Sequence, residues 1–195
     1  MYTIKQLTGG VTMGWWILVG VLVVLVIYVI SSYNGLVRLR NMVEEAFSTM
    51  DVYMKKRYDL IPNLVETVKG YATHEKETLD AVITARNKAV SAGSPDAQMA
   101  AEGELNQVMS RLFALTESYP DLKANTNFID LQNQVSTMET EIAQSRKFYN
   151  GTARNYNTKT EVFPSGIIAS IFNFKRVSLF EVSSEVEREN VKIQF

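Results

Sequence analysis

Residues 15–30 read WWILVGVLVVLVIYVI, without one charged side chain. Extended to Met13 and Ser32, the run reaches about 20 residues, enough to cross ~30 Å of hydrocarbon as a helix. Trp15 and Trp16 stand at one end and Tyr28 and Tyr33 near the other, as amphipathic rings do at the two membrane interfaces. A cleaved signal peptide is the rival reading, with Val29 and Ser31 as small residues before the cut. Length argues against it, because a typical h-region holds roughly 7 to 15 residues and Lys5 alone stands for a basic n-region. The expectation is a transmembrane helix over 13–32. Arg38 and Arg40 follow it and Lys5 precedes it, so the positive-inside rule makes 1–12 a short extracytoplasmic N-terminus and places the C-terminal domain in the cytoplasm.

Past the span, apolar residues recur seven apart at Leu36, Val43, Met50, Leu64 and Tyr71, with a second row at Phe47, Met54, Ile61 and Val68. Alternating steps of four and three draw one coiled-coil-like seam. Ala46, Tyr53 and Leu60 widen it toward the stripe of a bundle helix. Arg40 and Arg57 occupy seam positions, and Pro62, which lacks an N–H, is expected to kink the helix before it ends near Gly70 or Thr73. The membrane helix is expected to run directly into this one.

Three more helices follow. His74 to Ser91 turns Leu79, Val82, Ile83, Ala85, Ala89 and Val90 inward. Ser94, Pro95 and Asp96 then supply an N-cap, a first-turn proline and an acidic first turn for a third helix, which carries Leu105, Val108, Met109, Leu112, Phe113 and Leu115 and stops at Tyr119-Pro120. The fourth helix has the cleanest heptad, through Phe128, Leu131, Val135, Met138, Ile142, Ser145, Tyr149, Thr152 and Tyr156. Amphipathic helices joined by short breaks predict an all-α fold: a transmembrane helix continuing into an antiparallel four-helix bundle over 33–160. Residues 161–195 remain as an apolar C-terminal segment and tail. The first and fourth helices are about twice as long as the other two, so the fourth is expected to return toward the bilayer. It would deliver Ile167, Ile168, Ile171, Phe172 and Phe174 to the membrane surface, to the end of the bundle, or to a neighbouring subunit. Val191, Ile193 and Phe195 alternate with polar residues like a short strand, which needs a partner and suggests exchange between copies in a homo-oligomer.

Composition narrows the function. The 195 residues hold 20 Lys plus Arg, 21 Asp plus Glu, one His and no Cys. Near-neutral charge gives no electrostatic footprint for nucleic acid, and zero Cys excludes disulfides and Cys-ligated metals. His74-Glu75 lacks the second His of a zinc-protease helix, and no glycine-rich loop precedes a Lys-Ser or Lys-Thr pair. No catalytic, cofactor or metal residue is therefore expected. Asn150-Gly151-Thr152 matches a glycosylation acceptor, but such triplets recur by chance and this one reads as a helix-surface coincidence. Arg57 is more informative, since a charge on a seam is expensive unless paired and hydrogen-bonded. The expected partner is a carboxylate of the fourth helix, Glu139 foremost, with Glu141 as the alternative. Otherwise Arg57 snorkels to the bundle edge.

Several stretches together carry a recognisable pattern: Tyr33-Asn34-Gly35-Leu36-Val37, Arg57-Tyr58-Asp59-Leu60-Ile61-Pro62-Asn63-Leu64-Val65 and Gly70-Tyr71-Ala72-Thr73-His74-Glu75. Tyr119-Pro120-Asp121-Leu122-Lys123-Ala124-Asn125, Glu139-Thr140-Glu141-Ile142-Ala143, Arg146-Lys147-Phe148-Tyr149-Asn150, Phe163-Pro164, Ile168-Ala169 and Phe180-Glu181 complete it. By these the chain resembles the LemA family of bacterial membrane proteins. The resemblance implies a membrane anchor, a helical bundle and no established enzymatic activity, with HtpX-type membrane zinc peptidases as common companions. The expected function is a non-enzymatic membrane-anchored scaffold or adaptor in the inner membrane that self-assembles and binds such a partner in envelope maintenance. The alternative is an architectural oligomer that remodels the bilayer, and an enzyme stands well behind both.

Overall fold

The computed structural model describes residues 3–180, with side chains from Gly14 onward. All regular structure among them is helical: α1 (Thr3–Lys69), α2 (Lys76–Val90), α3 (Pro95–Thr116), α4 (Pro120–Lys123), α5 (Thr126–Glu161) and α6 (Ser165–Ile171). The expected fourth helix is thus α5, because Pro120 starts an extra single turn. The second helix begins at Lys76 rather than His74, since 70–75 form the turn that reverses the chain. Val191, Ile193 and Phe195 lie outside the described residues.

Two compact units make up the chain. One takes residues up to Met42 and Arg154–Val177, and the other Val43–Ala153 with the residues from Ser178 on. In the second unit the seam of α1 is the core: Val43, Met50, Met54, Ile61, Leu64 and Val68 are all buried, with Leu105 and Leu112 of α3 and Phe128, Val135 and Ile142 of α5. Tyr71, past the helix end, is exposed. Phe47 meets Tyr149 and Arg57 meets Glu139, so a step up α1 is a step down α5 and the two are antiparallel. Asp51 meets Gln98 and Arg57 meets Glu102, so α1 and α3 run parallel, as up-down connectivity demands. Local signals set the ends. Ser94 Oγ accepts from Ala97 N at 3.2 Å with Pro95 in the first turn, and Asn125 Oδ1 accepts from Phe128 N at 3.0 Å.

Pro62 does not end α1, which continues to Lys69. Having no N–H, it cannot bond the carbonyl four residues back, that of Tyr58. Arg86 of α2 fills the vacancy: its Nε donates to Tyr58 O at 3.1 Å, with its guanidinium 3.8 Å from Asp59. The helix defect is therefore a docking point for α2.

In the first unit, Leu36, Ile168 and Ala169 form a small core with Val29 and Phe174 against it. The entry to α6 is tight. A Cβ on Gly166 would lie 3.0 Å from the Glu161 carbonyl oxygen and 3.2 Å from that of Thr160, so glycine alone fits without displacing backbone. Ser165 Oγ donates to Lys159 O at 2.8 Å, serving a carbonyl that the end of α5 leaves without a helical partner. At its other end α6 closes with Asn173 at φ 57°, a left-handed position that asparagine tolerates, Phe174 N bonding Ala169 O and Asn173 N bonding Ser170 O. This turn sends Phe174 back onto Tyr33, ring centroids 5.6 Å apart, beneath the Arg40 guanidinium. Arg40, expected on the seam, is exposed.

In thermal unfolding of the full chain in detergent, Arg86→Met is expected to cost about 1–3 kcal/mol, since it strips a donor from a part-buried carbonyl. In a Pro62→Ala background, where residue 62 regains an N–H for that carbonyl, the cost should shrink. Equal costs in both backgrounds would refute the coupling.

Candidate functional site

The site sits on the seam of α1 in the second unit. Arg57, fully buried, occupies the heptad position between Met50 and Leu64, so helix geometry aims it inward. Its Nη2 donates to Glu102 Oε2 at 2.6 Å, and its Nη1 to Glu139 Oε1 at 2.6 Å and Asn106 Oδ1 at 2.9 Å. One guanidinium thus ties α1 to α3 and α5. Tyr58 Oη donates to the other oxygen of Glu102 at 2.5 Å, and Gln98 extends the chain to Asp51 Oδ1 at 2.7 Å. Arg57 Nε finds no acceptor among the described residues.

The two carboxylates differ in setting. Glu102 is 1% exposed and Glu139 is 42% exposed. Burial disfavours the charged guanidinium, but Glu102 and Glu139 outweigh that cost and leave Arg57 held above its ordinary value. Burial, followed by the Glu102 charge, pushes the Tyr58 phenol well up, so its proton stays in the hydrogen bond. A guanidinium locked by charge-assisted bonds and a phenol that keeps its proton make a poor acid–base pair and a strong cross-helix clamp.

Sequence reasoning pointed to Arg57 and Glu139, and the structure brings them together. It missed Glu102, although the signal was present: Gln98, Glu102, Leu105, Met109, Leu112 and Thr116 step by four and three along the buried face of α3. A charge on one seam has its answer in a charge on another. Pro62 lies one turn from the cluster and works through Tyr58 O. Of the apolar residues expected at a membrane or subunit contact, Ile167, Ile171 and Phe172 are exposed, Phe174 is half-buried, and Ile168 turns inward onto Leu36. Asn150 is no idle surface residue: its amide donates to Phe180 O and accepts from Phe180 N, both at 2.9 Å. Asn157 makes the same reciprocal pair with Val177.

Fold and site together define a helical-bundle protein with, among the described residues, one N-terminal helix long and apolar enough to cross a membrane, and a polar cluster that is structural in kind. The LemA family model matches residues 46–195, and the chain belongs to that family. It is 27% identical to Protein LemA of Metamycoplasma hominis over 193 residues, covering 96% of this chain and 86% of that protein. It is 24% identical to the magnetosome protein MamQ of Magnetospirillum gryphiswaldense, covering 82% of this chain and 68% of the relative. The magnetosome protein MamQ 2 of Paramagnetospirillum magneticum is also 24% identical, over 78% of this chain and 65% of its own length. In a member of this family, the N-terminal apolar helix fits a membrane-associated protein.

Unequal burial ranks the expected variants. Arg57→Met leaves the Glu102 carboxylate buried and should cost about 3–5 kcal/mol, and Glu102→Gln should approach that. Glu139→Gln removes a half-exposed partner and should cost ~1 kcal/mol or less. Melting temperatures of the detergent-solubilised chain check this order; three equal losses, or none, would show that the guanidinium is not anchored as described.

Proposed function

We propose that this chain is a non-enzymatic scaffold held in the bacterial inner membrane by its N-terminal helix, with the bundle in the cytoplasm, where it self-assembles and presents the bundle to a membrane partner. An HtpX-type zinc peptidase acting in envelope maintenance is the partner to test first. The observation that carries the reading is the continuity of α1, a single helix from Thr3 to Lys69 that holds both the apolar run and the seam around Arg57. One helix therefore carries both the apolar run and part of the bundle's core, which suits a membrane-anchored presenting role. A second reading, an oligomer acting on the bilayer itself, is favoured by the exposed Phe163, Ile171 and Phe172.

Crosslinking in intact cells, followed by identification of the crosslinked proteins, tests the scaffold. Recovery of a second copy together with a membrane peptidase is the expected result, and recovery of neither overturns it. Assembly of the purified protein only on lipid addition favours the architectural reading instead. For orientation, a membrane-impermeant thiol reagent on intact cells should reach a Cys at Thr3 and miss one at Ser91 or Ser118; the reverse pattern overturns the cytoplasmic placement. For assembly, the detergent-extracted full chain should weigh more than one subunit, and a single-subunit mass at low detergent would sink the oligomer.

A further inference from the structure

We infer that α6 and the bend before it form a second membrane contact, an interfacial segment whose Phe163, Ile167 and Ile171 side chains enter the boundary between headgroups and acyl chains beside the transmembrane helix. The inference rests on the reading of 13–32 as membrane-spanning and adds to it. Four observations lead to it, all within the first unit.

Depth comes first. Ile168, Ala169 and Phe174 pack with Leu36 and Val29, and the Phe172 ring meets that of Tyr33 at 4.8 Å. Val29 belongs to the last turn of the uncharged run, and Tyr33 and Leu36 to the first turn beyond it. A helix pinned to those residues lies at the level where the hydrocarbon ends. The second observation is the opposite face. Phe163 is 83% exposed, Ile167 53% and Ile171 68%; Ile167 and Ile171, four apart, share one side of α6 and line one shallow recess with Phe163 of the bend, while Ser165, Ile168 and Ala169 are buried on the other side.

Third, the charges fit. Arg38, Arg40, Lys175 and Arg176 flank the packed residues in sequence, as basic side chains do at headgroup level. Glu161, the acidic residue at the entry to α6, is paired with Arg176 at 2.7 Å. Fourth, the segment is held rather than loose. Gly166 against the α5 terminus and the Asn173 turn set which face of α6 points outward. Seven residues are too few to bind a bilayer alone, but a segment already tethered to a membrane helix faces lipid at high effective concentration.

The chain has no Cys, so single replacements report cleanly. Full-length protein is reconstituted in phosphatidylethanolamine–phosphatidylglycerol vesicles with one environment-sensitive fluorophore at Phe163→Cys, Ile167→Cys or Ile171→Cys. Val21→Cys serves as the lipid reference and Ser118→Cys as the aqueous one. These positions leave the packing of Ile168 and Ala169 untouched. Blue-shifted emission, quenching by nitroxide phospholipids and protection from aqueous iodide at all three test sites are expected. Iodide quenching there equal to that at Ser118, with Val21 still quenched by lipid, overturns this inference alone. Protection from both quenchers overturns it too, in favour of a second copy covering the face. A Val21 label that lipid does not quench removes the transmembrane reading and this inference with it.

Discussion

A guanidinium with no access to water is the constraint around which the bundle is arranged. Arg57 loses its hydration entirely, and a charge so placed is tolerable only with compensating carboxylates at hydrogen-bond distance. Glu102 and Glu139 meet that need from two different helices, and Asn106 Oδ1 accepts a second hydrogen bond from Nη1. Such bonds are directional, so they reject shifts in register that an apolar seam of Met, Ile and Leu would accept with little loss. Tyr58 uses the remaining oxygen of Glu102, which ties the carboxylate from both sides. The cluster specifies which faces of α1, α3 and α5 meet, while the surrounding hydrocarbon supplies the drive to bury them.

The same economy governs the backbone groups that helices leave unpaired. Pro62 releases the Tyr58 carbonyl and Arg86 takes it. Ser165 serves the Lys159 carbonyl at the end of α5, and Asn173 closes α6. The Asn150 and Asn157 amides each present one donor and one acceptor, the pattern of a neighbouring strand, to the backbone of Phe180 and of Val177, residues outside any helix. Segments poor in regular structure are thereby held by side chains of the helix beside them.

Along α1 the environment changes without a change in secondary structure. From Trp15 to Tyr28 its large apolar side chains point outward on every side, which suits a solvent of lipid tails. From Val43 on, one stripe is buried and the opposite face is mostly polar, with Val52 exposed on it. Leu36, between the two, packs on Ile168 and Ala169. A seven-residue α6 thus receives its position from α1 rather than from its own stability.

Much of this architecture is local in origin and so could be read from the chain. The uncharged run, the heptads of α1 and α5, the Ser94-Pro95 start of α3 and the expense of a charge at Arg57 all follow from periodicity and near-neighbour chemistry. Pairing does not. That Arg57 takes Glu102 as its fully buried partner, that Arg86 occupies the carbonyl freed by Pro62, that Asn150 grips Phe180 and that Ile168 faces inward while Ile167 faces out depend on contacts between residues distant in sequence. Glu102 shows the division most clearly. Its place on a seam was written in the spacing of α3, yet only the approach of α1 turned a misplaced charge into half of an ion pair.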